Sequence, residues 1–404
     1  MIKDFIYRLL ERRHFWRYAS FSEIAELYTS RMLRFVGMYI ASGFASVYLY
    51  RSGYSLLFIM IFWSLYFFLK IFLAYFSAYY AARYGPKHAI LISNVIYIPA
   101  MIALGFVPNF GVWAIIIWGV SMAVSTSVYQ LGYTIDFSKV KNPEHAGKEL
   151  GFMNIVEKLS IGLSPVIGGV IAFYFGPQFV MWTAAVIFML SALPLLKSSE
   201  PTRTHQTMHF RGYPWRATMR SLVAETGIGF DMVATSYVWS IFMAIVVFSN
   251  LGDSLYFTIG VLSSVMIVAT IAISYAYGRL IDRNRGGDLL TFSVIVNALV
   301  HASRPFATTT MSVVYTNITN EVATAGIAMS YLRGMFDQAD SSGHRIVYMF
   351  LTELMVNVGA TIACVVLALG AWLLGDVSGL RVFFFITAGV VLLEGTAKFG
   401  IYRR

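Results

Sequence analysis

With 404 residues, of which 58% are hydrophobic, 16% aromatic and only 12% charged, and a mean hydropathy of +0.68, the chain is too apolar for a soluble domain, where about a quarter of residues carry charge. A helical span needs about 20 apolar residues, and a helix satisfies its own backbone polar groups in lipid, so the length accommodates a dozen spans and little else. The single cysteine, Cys364, excludes an intrachain disulfide framework, and the net charge of +10 implies a nucleic-acid partner only if it is not explained by membrane topology.

In chain order, residues 1–31 mix Arg8, Arg12, Arg13 and Arg17 with Phe5, Leu9, Phe15 and Trp16. The segment is too charged for the apolar region of a signal peptide, and the pattern predicts an amphipathic helix on the surface of the lipid bilayer. Apolar runs follow, broken at 51–53, 83–88, 108–111, 137–146, 176–177, 197–220, 250–253, 279–288, 304–305, 337–344 and 376–381. Eleven breaks predict twelve spans. The outer loops hold only Arg51, Arg304 and Arg381, while the inner segments hold the rest of the loop Lys and Arg. That asymmetry places both termini in the cytoplasm. The positive charge is therefore topological, and no nucleic acid is needed to explain it. The polar stretch 198–220 predicts a cytoplasmic linker between an N-terminal six-helix half, 32–197, and a C-terminal half, 221–404. An internal echo supports that division, since Gly147, Phe152 and Glu157 are mirrored by Gly343, Tyr348 and Glu353.

Two loops carry a motif. Gly278-Arg279-Leu280-Ile281-Asp282-Arg283 is followed by Asn284, Arg285 and Gly286, and about half a chain earlier Ala78 to His88 keeps Arg83, Gly85 and Lys87 but has Ala82 where the acid would stand. The first resembles the loop between the second and third helices of each half in the major facilitator superfamily, roughly Gly-x-Leu-Ala-Asp-Arg-x-Gly-Arg-Lys, with its second glycine one residue late at Gly286. The resemblance implies an all-α polytopic membrane protein of twelve transmembrane helices in two pseudo-symmetric halves. It also implies that these loops gate the cytoplasmic side, through Arg83, Gly85 and Lys87 in the first half and Gly278, Asp282 and Arg283 in the second. Ser160 to Gly169 in span 5 resembles the family's antiporter signature, keeping Pro165, Gly168 and Gly169 but with Ser160 and Ser164 in place of glycines.

Charges inside apolar runs are the informative residues, because an ionisable group at mid-bilayer costs at least about 2.5–3.5 kcal/mol unless it faces a partner or water. Lys70, Glu157, Lys158, Asp231, Glu321 and Glu353 qualify. Glu157 lies roughly 14 Å along its helix from Lys148, and Lys70 roughly 20 Å from Arg83. Lys70, Glu157, Asp231, Glu321 and Glu353 are candidate solute or proton-coupling residues. The alternative for each is a structural ion pair, for example Lys70 with Glu157. Glu394 is expected to pair with Lys398 one turn on, and the scattered histidines read as interfacial. Span 10 is polar around Glu321 (Asn317, Thr319, Asn320, Thr324), as is span 4 from Ser121 to Gln130, and the resemblance puts both at a central cavity.

Nucleophile, phosphate-loop and metal-ligand constellations are missing from the sequence, so no enzyme activity, cofactor or metal is expected. The expectation is a secondary transporter moving a small solute by alternating access, with proton-coupled export as its mode. Uptake of a nutrient, or a transporter-like receptor or scaffold, are the alternatives. The location expected is a prokaryotic cytoplasmic membrane.

Overall fold

The computed structural model describes residues 21–41, 45–140, 146–196, 208–250, 258–259, 261–262 and 273–402, and these form helices and turns with no strand. The predicted surface segment lies outside the described residues up to residue 20, as does the predicted linker from 198 to 207. Among the described residues, nine helices are long and apolar enough to cross a membrane. They are span 1 (Thr29–Arg51), span 2 (Leu56–Tyr84), span 3 (Pro86–Gly105), span 4 (Val112–Ile135), span 6 (Pro177–Leu196), span 7 (Trp215–Val247), span 9 (Gly286–Phe306), span 11 (Arg345–Leu374) and span 12 (Asp376–Thr396). Span 5 is the helix Ala146–Phe175, whose apolar part, Leu159–Phe175, is shorter. Span 10 is the helix Thr310–Ser341, a 32-residue element too polar to stand out by hydropathy. Span 8 lies largely outside the described residues, and its last turns, 273–282, are helical. The chain is an all-helical polytopic membrane protein, and these helices are consistent with twelve spans.

Consecutive spans reverse on remarkably little backbone, and glycine is the reason. Gly85, Gly176 and Gly375 have φ of 99°, 96° and 79°, a region open to glycine at no steric cost. Pro86 and Pro177 then occupy the first helical position, where a missing N–H costs nothing. The predicted break at 83–88 therefore shrinks to Gly85 alone and that at 376–381 moves to Gly375, so Arg83 and Arg381 sit on helix instead. At the second motif loop the positive φ falls on Asn284, at 60°, a residue type that tolerates it. The displaced Gly286 serves another purpose. A Cβ there would lie 2.3 Å from the ring of Tyr402, whose hydroxyl donates to the Ser330 carbonyl at 2.9 Å.

Span 1 packs on spans 5 and 6, and span 3 on spans 4 and 6. Six spans later the pattern recurs, with span 7 on 11 and 12 and span 9 on 10 and 12. The two halves meet mainly where span 2 lies along span 11, with further contacts of span 4 with 11, span 5 with 10, and residues 45–51 of span 1 with 239–242 of span 7. Trp63 and Phe67 of span 2 meet Tyr237 of span 7 with ring centroids 4.2 and 5.8 Å apart. Glycines permit the tightest crossings. A Cβ on Gly229 would stand 1.9 Å from the Val356 carbonyl oxygen, one on Gly359 2.0 Å from that of Thr226, and one on Gly168 2.3 Å from that of Ile40. Spans 7 and 11 thus touch backbone to backbone, as spans 1 and 5 do, and the surviving Gly168 of the span 5 motif is a packing residue. Large apolar side chains left outside the bundle, such as Leu65, Phe68, Phe72 and Phe76 on one face of span 2, are suited to lipid.

Candidate functional site

Within this frame the polar side chains gather in three places. The first is the interior of the N-terminal half. Arg34 of span 1 is 2% exposed, and donates to Asn94 Oδ1 at 2.6 Å, Ser93 Oγ at 3.3 Å and Ser125 Oγ at 3.3 Å. Its guanidinium lies 3.8 Å from the Tyr129 ring centroid. A buried cation held by neutral acceptors and aromatic faces is tolerated because both terminal nitrogens donate and the ring quadrupoles are attractive. One turn earlier Arg31 reaches Glu157 Oε2 at 2.7 Å and stacks 3.5 Å over Tyr133. Glu157 is therefore paired, but with Arg31 and not with Lys70. The side chain of Lys158 lies outside the described ones.

The second is the interior of the C-terminal half. Asp231 of span 7 accepts from Thr235 Oγ1 at 3.0 Å and from Asn297 Nδ2 at 3.0 Å, and contacts His301 Nε2 at 2.6 Å. The other ring nitrogen of His301, Nδ1, lies 3.2 Å from an Arg304 guanidinium nitrogen. Arg304 also donates to Asn320 Oδ1 at 2.8 Å and lies 4.8 Å over Trp239 and 5.5 Å over Phe384. His301 is fully buried and Arg304 is 1% exposed. The expectation that the histidines are interfacial fails at His301, and Arg304 is no outer-loop charge. Both sit near the end of span 9, whose turn over Arg304–Phe306 folds the guanidinium inward instead of releasing it to solvent.

The third joins the halves. Lys70 Nζ of span 2 is 3.3 Å from Glu353 Oε1 of span 11, with side-chain exposures of 9% and 8%. Asn357 Nδ2 donates to the same oxygen at 3.1 Å. The sequence singled out both residues but gave Lys70 the wrong partner. Glu321 is half-buried on span 10 and already engaged in interactions. It acts electrostatically, together with Glu157 and Arg31, on Tyr39 of span 1. Lys70 and Glu353 are thus brought together, Glu157 pairs with Arg31 on span 1, and Asp231 belongs to a separate network.

Two buried acids were not among the candidates. Glu225, 5% exposed, lies near the start of span 7, a short way past the basic linker that ends at Arg220, where a charge is ordinary in sequence. Glu394 is fully buried, and neither carboxylate oxygen has a hydrogen-bond partner among the described residues. The expected pair with Lys398 does not form on one helix face, because the chain tightens to a 3-10 turn over Val391–Thr396 and turns extended at Ala397.

Of the loop residues, Arg83 is exposed and donates to Tyr79 Oη at 3.0 Å, one turn back, and Arg279 donates likewise to Tyr275 Oη at 2.6 Å. Gly85 makes the reversal already described and Gly278 is buried, while Lys87 is half-buried and Asp282 and Arg283 are exposed. The interactions of Lys87 and Asp282 leave neither of them free.

Residues 27–363 match the family described as the Major Facilitator Superfamily. No curated protein matches the chain. Among solved structures, the human organic anion transporter MFSD10 (TETRAN) is similar with a TM-score of 0.61 at 13% identity, over 92% of this chain and 97% of that one. The nucleoside transporter NupG, solved as a mutant, is similar with a TM-score of 0.66, also at 13% identity and over the same shares. At that identity the likeness concerns the fold.

Proposed function

The chain belongs to the major facilitator superfamily, and from that premise we propose that it is a secondary active transporter that moves a small solute by alternating access, with export driven by protons. Membrane transport itself follows from the family and from the transporter fold. The observation that carries the finer reading is the set of ionisable groups inside the bundle, shared by both halves and bridged between them by Lys70 and Glu353. Buried charges of this kind in a membrane mark solute or ion pathways. In this reading the halves 32–197 and 221–404 rock against each other along spans 2 and 11, with Gly278, Asp282 and Arg283 of the second loop and Arg83, Gly85 and Lys87 of the first forming the cytoplasmic gate. Both termini face the cytoplasm of a prokaryotic cell.

Alternating exposure of Glu353 to the two sides would load and release a proton, as Lys70 swaps between pairing with it and facing solvent. Reconstituted in vesicles, the protein should show solute counterflow, which a receptor or scaffold would not. Glu353→Gln should abolish accumulation driven by a proton gradient. Accumulation by Glu353→Gln equal to that of the parent would remove Glu353 from the coupling pathway, leaving Asp231 and Glu321.

A further inference from the structure

The geometry of the Asp231–His301–Arg304 chain fixes the protonation of its middle member. A guanidinium can only donate hydrogen bonds, so the 3.2 Å contact between Arg304 and His301 Nδ1 requires a bare, accepting Nδ1. The ring proton then sits on Nε2 and is donated to Asp231 Oδ1 at 2.6 Å. His301 is neutral here, holding an anion on one side and a cation on the other. A proton taken up at Nδ1 would set two donors and two positive charges against each other at that distance. His301 and Arg304 could not both stay, and Asp231 holds His301 by the shorter bond.

From this we propose that His301 is a proton-binding site, and that loading Nδ1 expels the Arg304 guanidinium from the junction of spans 7, 9, 10 and 12. Arg304 is what those spans share, through Thr235 at 3.4 Å on span 7, Asn320 on span 10 and the rings of Trp239 and Phe384 on spans 7 and 12. Span 7 is built to yield there. It carries wide π-helical turns over Ala234–Val238 and Met243–Val247, on either side of Trp239, and such turns concentrate at functional sites. The charged and titratable groups on the elements packed against span 9 include Asp231 and Glu225 of span 7, Arg304 at the end of span 9 itself, Glu321 beside Asn320 on span 10, and Glu394 of span 12, which feels the charges of Asp231 and Glu225. Asp231 and Arg304 touch the imidazole directly, so its proton is coupled first to them.

The proposal deepens the proton-driven reading, but its titration is readable in a protein that transports nothing. Trp239, one of eight tryptophans, reports on Arg304 because the guanidinium stacks on it. Purified protein in nanodiscs, scanned between about pH 5 and 8, the range in which histidine titrates, should show a one-proton change in emission that Trp239→Phe removes. His301→Gln, which can still donate and accept but cannot titrate, should abolish the change. Arg304→Gln should abolish it as well with His301 in place, and it decides the matter if His301→Gln does not fold. No transition in the parent, or a transition that persists in either variant, overturns the proposal. In vesicles, gradient-driven accumulation by His301→Gln should fall to the level reached without a gradient. A parent that shows the transition but moves no solute would overturn the transport reading and leave this one standing.

Discussion

Single atoms set the limits at the points where helices touch. Gly359 and Gly229 each face a backbone carbonyl at a distance no methyl group could occupy, so Gly359→Ala has to push spans 7 and 11 apart. Overpacking of that kind costs about 1–3 kcal/mol, and the thermal midpoint of the purified protein should fall accordingly, whereas Gly389→Ala, which meets nothing within 4 Å, should leave it unchanged. The same scale explains what the sequence could and could not announce. Lys70, Asp231 and Glu353 were legible because each stands alone in a long apolar run. Arg31 and Arg34 were not, since they follow a basic N-terminal stretch and count as topological charge until the fold turns them inward. His301 and Arg304 were hidden by proximity to a break, where a polar residue is ordinary. Glu394 was hidden by a rule that assumes an α-helical turn, and the helix changes its pitch at that residue.

For the spans as elements, the informative pair is 2 and 11. Lys70 and Glu353 are both nearly out of solvent, so removing one partner strands the other charge, a loss of about 3–5 kcal/mol for buried pairs. Lys70→Met should reduce the folded, detergent-extractable fraction sharply. Combining it with Glu353→Leu should restore much of that fraction, because an apolar replacement of both partners is often neutral or better. If the double variant is as poor as the single one, the pair is not what holds this contact. The two motif loops show how far an element's identity can be read from its residues. The positions of both turns were plain, but the late glycine of the second copy looked like an imperfection. Its reason lies in Tyr402, more than a hundred residues on, and no local pattern contains that contact.

The whole molecule repeats its packing scheme every six spans, and the alternation of loop charge that suggested the orientation follows from the same count. Cys364 is buried, so a Cys364→Ser background leaves introduced cysteines to report alone. Ser52→Cys and Val377→Cys should react with an impermeant thiol reagent added outside intact cells. Tyr84→Cys and Arg285→Cys should react only after the membrane is opened, and the opposite pattern would reverse the orientation proposed above.

The bridge from Lys70 to Glu353 lies along the seam where the halves meet, and a body that rotates about a seam moves least at the seam itself. In the rocking proposed above, points there would have almost no lever arm, while the loops at either end of the bundle would sweep the widest arcs. A tether between spans 2 and 11 at the level of Lys70 would then leave the swing nearly free. The same tether between the loop at Gly85 and the loop at Asp282 would stop it.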